Sequence, residues 1–187
     1  MQNKIEQIAV HYAEILKLLG EDPTREGLQK TPMRAAKAMW HITEGYRQEA
    51  SEIMNQAIFE YAGSQMIIVK DIEFYSTCEH HILPFFGKVS IGYIPDKKMV
   101  GLSKLARLVN VYARRLQVQE RMTAQICHAV METLNAKGVI VLTEAQHLCM
   151  KMRGVEKQGS STTTTDYTGV FAHDNALRKE FFDALSR

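Results

Sequence analysis

Residues 66–94 read MIIVKDIEFYSTCEHHILPFFGKVSIGYI. Met66-Ile67-Ile68-Val69 and Ile72-Glu73-Phe74-Tyr75 are rich in branched and aromatic side chains, which suit a pleated, half-buried surface. Phe86–Ile94 alternates and stops at the turn Pro95-Asp96-Lys97-Lys98. The spacing predicts a β-hairpin whose long connection carries Cys78-Glu79-His80-His81.

Downstream, Ser103 is expected to cap a helix through Leu105, Leu108, Val109 and Tyr112. A second helix is expected from Glu120 to Ala136, stopped by Lys137-Gly138. Val139-Ile140-Val141-Leu142 opens a third strand, expected to reach Met152. A fourth, Thr-rich strand is expected from Ser160 to Phe171, and Asp174 caps a last helix to Leu185. Upstream, Ile5, Ile8, Tyr12, Ile15, Leu16 and Leu19 recur at helical spacing before Gly20. Thr31-Pro32 reads as an N-cap with proline at the first helical position, and Gln48–Gln56 as connecting chain. The order is α, α, then ββ-αα-ββ, then α, an α+β chain. The expected division is an N-terminal helical segment at 1–56 and a second domain at 57–187.

At 187 residues the chain is long enough to bury a core without disulfides, and its three cysteines are an odd number for a paired framework. The 45% hydrophobic content excludes wholesale disorder. A net charge of +2, from 23 Lys+Arg against 21 Asp+Glu, is too balanced for a surface devoted to nucleic acid. No apolar run approaches the ~20 residues of a membrane helix, and the N-terminus lacks a signal-peptide layout. A cytoplasmic protein with no nucleic-acid or membrane partner is therefore expected.

The polar residues gather in three groups. Cys78 and His81 stand at C-x₂-H spacing, and His147-Leu148-Cys149 supplies complementary donors. On a strand His147 and Cys149 would share a face. Two thiolates and one imidazole suit zinc, and three protein ligands leave the open fourth position of a catalytic site. His80 and His147 would then stand beside the metal as acid–base groups. The bland alternative is a set of small buried cysteines, the reading that suits Cys127 in mid-helix. The second group is basic. Ser103, Lys104 and Arg107 open a helix, where free N–H groups favour anions, and Arg153 and Arg34 could join them on a polyphosphate. A solvated basic face is the alternative. Third, Gln119-Glu120 opens a helix, either as a dipole-favoured first turn or as a carboxylate for a purine edge.

CEHHILPF, GLSKLARLVN, VQER and HLCMKMRG, in this order and spacing, closely resemble GTP cyclohydrolase I, as do TPMRAAKAMW and SSTTTTDYTGVF. The resemblance runs from about residue 5 to the C-terminus. It implies conversion of GTP and water to 7,8-dihydroneopterin triphosphate and formate, the entry to folate and pterin biosynthesis. By resemblance Cys78, His81 and Cys149 match the ligands of one zinc per subunit, and His80 and His147 the catalytic histidines. Glu120 with Gln119 matches the guanine anchor; Ser103, Lys104, Arg107 and Arg153 match the triphosphate pocket. Ser103 is further expected to shuttle a proton in the sugar rearrangement. Arg34 matches a basic residue from a neighbouring subunit. The resemblance also implies a tunnelling fold, an antiparallel ββ-αα-ββ sheet with helices on one face. Such subunits join into a toroidal homodecamer of two pentamers with active sites between subunits.

Overall fold

The computed structural model describes residues 2–186. Contacts divide the chain into two compact units, one ending at Glu44 and the other beginning at Gly45. In the first, α1 (Gln2–Leu18) packs on α2 (Thr31–Ile42), with Ala9 and Ala36 buried. Thr31 is the first residue of α2 rather than its cap, and its hydroxyl donates to the Gly27 carbonyl at 3.3 Å. Pro32 then sits in the first turn, where its missing N–H costs nothing.

The second unit opens with a 3-10 turn, Glu44–Arg47 at its join, and the short helix α3 (Ala50–Asn55). Gln48–Gln56 does not behave as a connector. Met54 is fully buried in the core of this unit, and Arg115 Nε donates to the Gly45 carbonyl at 3.1 Å. The division at Glu44/Gly45 thus falls before the expected boundary at 56.

There follow β1 (Ile58–Glu60), β2 (Ile67–Cys78), β3 (Pro84–Ile94), β4 (Lys98–Val100), α4 (Leu102–Ala113), β5 (Leu116–Gln117), α5 (Gln119–Leu134), β6 (Gly138–His147), α6 (Leu148–Lys151), β7 (Thr162–Gly169) and α7 (Asn175–Leu185). Strands β5-β2-β3-β6-β7 form one sheet, and β1 pairs with β4 in a small separate ladder. The large sheet is mixed: β5 runs parallel to β2, and the other pairs are antiparallel.

One face of this sheet carries the main core. Phe85, Val89, Ile91 and Tyr93 of β3 and Val139, Val141 and Ala145 of β6 alternate onto it, against Leu105, Leu108 and Val109 of α4 and Met122, Ile126 and Val130 of α5. On β2 the strict period of two would turn Ile72 away from Val69. A bulge between them, with Asp71 in the left-handed region (φ 59°), brings Ile67, Val69, Ile72 and Phe74 back to one face. The bulge is held by Asp71 N donating to Ser90 Oγ at 3.3 Å.

Helices do not stay on one face. Phe181 of α7 and Phe171 pack on Ile94 and Ile140 from the opposite side. Gly92 admits that ring, since a Cβ there would lie 2.7 Å from the Phe181 side chain. Further along the same face Tyr75 and Phe86 stack in the open, Tyr75 being 70% exposed.

Several expected boundaries shift. Gly101, not Ser103, precedes α4, and Ser103 lies in its first turn. Asn135 takes the left-handed cap of α5 (φ 46°) ahead of Lys137-Gly138. Asp174 does cap α7, its Oδ1 accepting from Ala176 N and Leu177 N. Among the described residues no helix is long and apolar enough to cross a membrane.

Candidate active site

Cys78 ends β2, and the turn after it is tight. Cys78 N donates to Leu83 O at 2.8 Å, Ile82 N donates to Cys78 O at 2.8 Å, and Ile82 takes a left-handed φ of 54°. This turn presents Glu79, His80 and His81. Glu79 is tied down twice, through its N–H to Gln117 O at 3.0 Å and through its carboxylate to Arg121 of α5. Arg121 also donates to Gln117 Oε1 and Leu116 O, both at 3.0 Å. The guanidinium hydrogen bond lowers the pKa of Glu79, so the carboxylate stays charged.

The second wall comes from the end of β6. The strand stops at His147, and Cys149 lies in α6, not on a strand continuing to Met152. The helix nevertheless brings its thiol to the first wall: the donor atoms of Cys78, His81 and Cys149 all lie within 4.8 Å of one another. Cys78 Sγ is 3.8 Å from His81 Nδ1 and 3.9 Å from His80 Nδ1. Tetrahedral zinc with ordinary Zn–S and Zn–N bonds separates sulfur and nitrogen donors by about 3.6 Å, so the spacing and the donor set fit zinc. Burial and then the facing Cys78 thiol raise the pKa of Cys149. A bound cation would offset that repulsion and favour the Cys149 thiolate.

His147 faces Phe85 across the sheet, ring on ring, with centroids 4.6 Å apart and planes at 3°. Its ring nitrogen Nε2 is 2.8 Å from Gln119 Oε1. Burial lowers its pKa, and the negative charge of Glu120 works the other way. Together Cys78, His80, His81, Gln119, Glu120, His147 and Cys149 line one pocket of about 210 Å³.

The expected residues are thus divided. Five catalytic or metal candidates and the Gln119-Glu120 pair converge on the pocket. Ser103, Lys104, Arg107 and Arg153 are not among the described residues lining it. Ser103, Arg107 and Arg153 are exposed, and Lys104 Nζ donates to Gln56 Oε1 at 2.7 Å. Arg34 is exposed on α2, in the first unit. Arg121, Gln117 and Phe85 went unread as site residues. For Arg121 the available signal was its place in VQER beside Gln119 and Glu120.

The sequence profile described as GTP cyclohydrolase I matches residues 8–186. The chain is 59% identical over 177 residues to a GTP cyclohydrolase 1 of Porphyromonas gingivalis, covering 95% of this chain and 91% of that one. It is 52% identical over 186 residues to the protein of that name in Campylobacter jejuni, covering 100% and 96%. The Bacteroides thetaiotaomicron protein of that name is 54% identical over 181 residues, covering 97% and 92%.

Proposed function

Because the chain belongs to the GTP cyclohydrolase I family, we propose that Cys78, His81 and Cys149 hold one zinc ion per subunit, and that the pocket around them converts GTP and water to 7,8-dihydroneopterin triphosphate and formate. The observation that carries this is the convergence of a three-donor cluster, two further histidines and a carboxylate on one pocket. Bound zinc supplies a Lewis acid that lowers the pKa of water toward neutrality, which suits hydrolysis at C8 of guanine near pH 7.

The chain's own residues do the rest. Glu120 accepts from the N1–H and amino groups of guanine, which selects the base. A buried polar group left unpaired costs about 1–3 kcal/mol, so adenine is refused. His147 takes a proton from the attacking water and passes it to N7 as the imidazole ring opens to a formamide, and a second hydrolysis releases formate. His80 assists opening of the ribose, and Ser103 moves a proton in the sugar rearrangement. Lys104, Arg107, Arg153 and Arg34 hold the triphosphate. The freed amine and the rearranged sugar then condense, so the net consumption is one water.

Ligand pockets usually hold roughly 300–1,000 Å³. The pocket of about 210 Å³ on one chain is small for a nucleoside triphosphate, and the basic residues lie off its lining. Both facts support a site finished by a neighbouring subunit. The sheet offers the means, because β7 is an open edge and β5 covers only the Thr77–Cys78 end of β2. We take the assembly to be a cytoplasmic toroidal decamer of tunnelling-fold subunits.

The deciding experiment is a mass-spectrometric product assay on zinc-loaded protein given GTP. A product with the mass of dihydroneopterin triphosphate, with formate in equal amount, is expected. Unchanged GTP from an assembled, zinc-loaded ring would overturn the reading.

A further inference from the structure

Gln119 opens α5 and is 1% exposed. Its side-chain amide is engaged at both ends. Nε2 donates to the carbonyls of Thr143 and Thr162, each at 3.0 Å, and reaches Thr164 Oγ1 at 3.1 Å. The two carbonyls only accept, so the amino group of Gln119 must face them and the carbonyl oxygen must face His147. That oxygen also only accepts. At 2.8 Å from Oε1, the Nε2 of His147 must therefore carry a hydrogen.

From this geometry we infer that Gln119 is a positioning residue, which fixes His147 as the Nε2–H tautomer and leaves Nδ1 as the lone-pair nitrogen of the neutral ring. The reading of Gln119 as a side chain on guanine is replaced, while Glu120 beside it remains exposed and free for that task.

The hold on Gln119 is itself rigid. Thr143 of β6 and Thr162 and Thr164 of β7 come from adjacent paired strands. Thr123, one turn along α5, donates to the Gln119 carbonyl at 2.8 Å and lies 2.7 Å from Thr164 Oγ1. Thr123 and Thr143 are fully buried. A buried network with every member paired holds one arrangement. Phe85, stacked on the imidazole, sets the plane of the ring while Gln119 sets its rotation within that plane. The Thr-rich stretch on β7 thus supplies part of this hold on His147.

This inference rests on the role given to His147 above, and the experiment separates the two. Zinc-loaded enzyme labelled with [15N]histidine is examined by NMR at a pH where the ring is neutral, with His147 assigned by its loss in His147→Ala. The Nε2–H pattern is expected for the wild type and an Nδ1–H pattern would overturn the inference; both are read on the wild-type enzyme. In kinetics, Gln119→Met is expected to lower kcat about 10–100-fold and to move KM for GTP less than about threefold, as for loss of a group that orients another. Thr164→Val should lower kcat in the same manner and Thr164→Ser should restore it. A Gln119→Met enzyme with unchanged kcat and a KM raised tenfold or more would mean that the amide touches guanine after all. An unchanged turnover in His147→Ala would overturn the catalytic role instead. An Nδ1–H spectrum beside an inactive His147→Ala would overturn this inference alone.

Discussion

Cys149 and His147 stand two positions apart and are predicted to fail in different ways. Cys149 gives one of the three donors that lie within 4.8 Å of one another, so Cys149→Ser should remove the metal and with it all turnover. His147 touches Phe85 and Gln119 and is no part of the donor cluster, so His147→Ala should keep the metal and lose roughly a hundredfold or more in rate. Metal content by elemental analysis, read beside turnover, checks both. A metal-free His147→Ala protein would mean that the ligands are misassigned. Chemistry this dense was legible in the chain, since Cys78, His80 and His81 are neighbours and cysteine with histidine admits few readings. The part played by Gln119 was not. Its partners Thr143, Thr162 and Thr164 lie 24, 43 and 45 residues away, and only strand pairing brings them to it. The predicted shared face of His147 and Cys149 failed because a strand was carried past His147, where a short helix begins.

The turn between β2 and β3 is the element on which the donor cluster depends. It holds Cys78 and His81, and the Arg121 clamp on Glu79 joins it to α5. Arg121→Met keeps the aliphatic stem and removes the fork of donors. We expect metal affinity to fall about 10–100-fold, as for other groups that orient ligands, with the melting temperature little changed. Competition with a chelator measures this, and an unaltered affinity would show that the turn needs no clamp. The hairpin itself was legible because branched and aromatic residues cluster on both sides of the turn. The bulge at Asp71 was not, because local composition does not say which strand face is buried until the helices are placed. The same limit hid where α7 packs. Its cap at Asp174 is a local signal and was read, whereas its seat on the face opposite α4 and α5 depends on Gly92 and Ile140 far away in the chain.

At the scale of the molecule, one chain leaves its site small and its basic residues off the pocket lining. Arg34 belongs to the first compact unit, and His80 and His147 to the second. If the triphosphate is held by Arg34 of one subunit while His147 of another reacts, two inactive variants should repair each other. Arg34→Ala and His147→Ala each disable every site of a uniform ring. In rings co-assembled from equal amounts of both, a site needs an intact Arg34 from one chain and an intact His147 from its neighbour. Random assembly meets that condition in about one site in four, so about a quarter of wild-type turnover should return. If both residues acted within one chain, no mixed site would carry the intact pair and the mixture would stay inactive. Co-expression with two affinity tags isolates the mixed rings, and native mass spectrometry gives their subunit number and composition. A pentamer with full turnover would remove the second ring from the reading, and a monomer with full turnover would remove shared sites altogether. Complementation near a quarter would instead explain why a pocket of about 210 Å³ on the single chain suffices. Each subunit would then supply one wall and borrow the other.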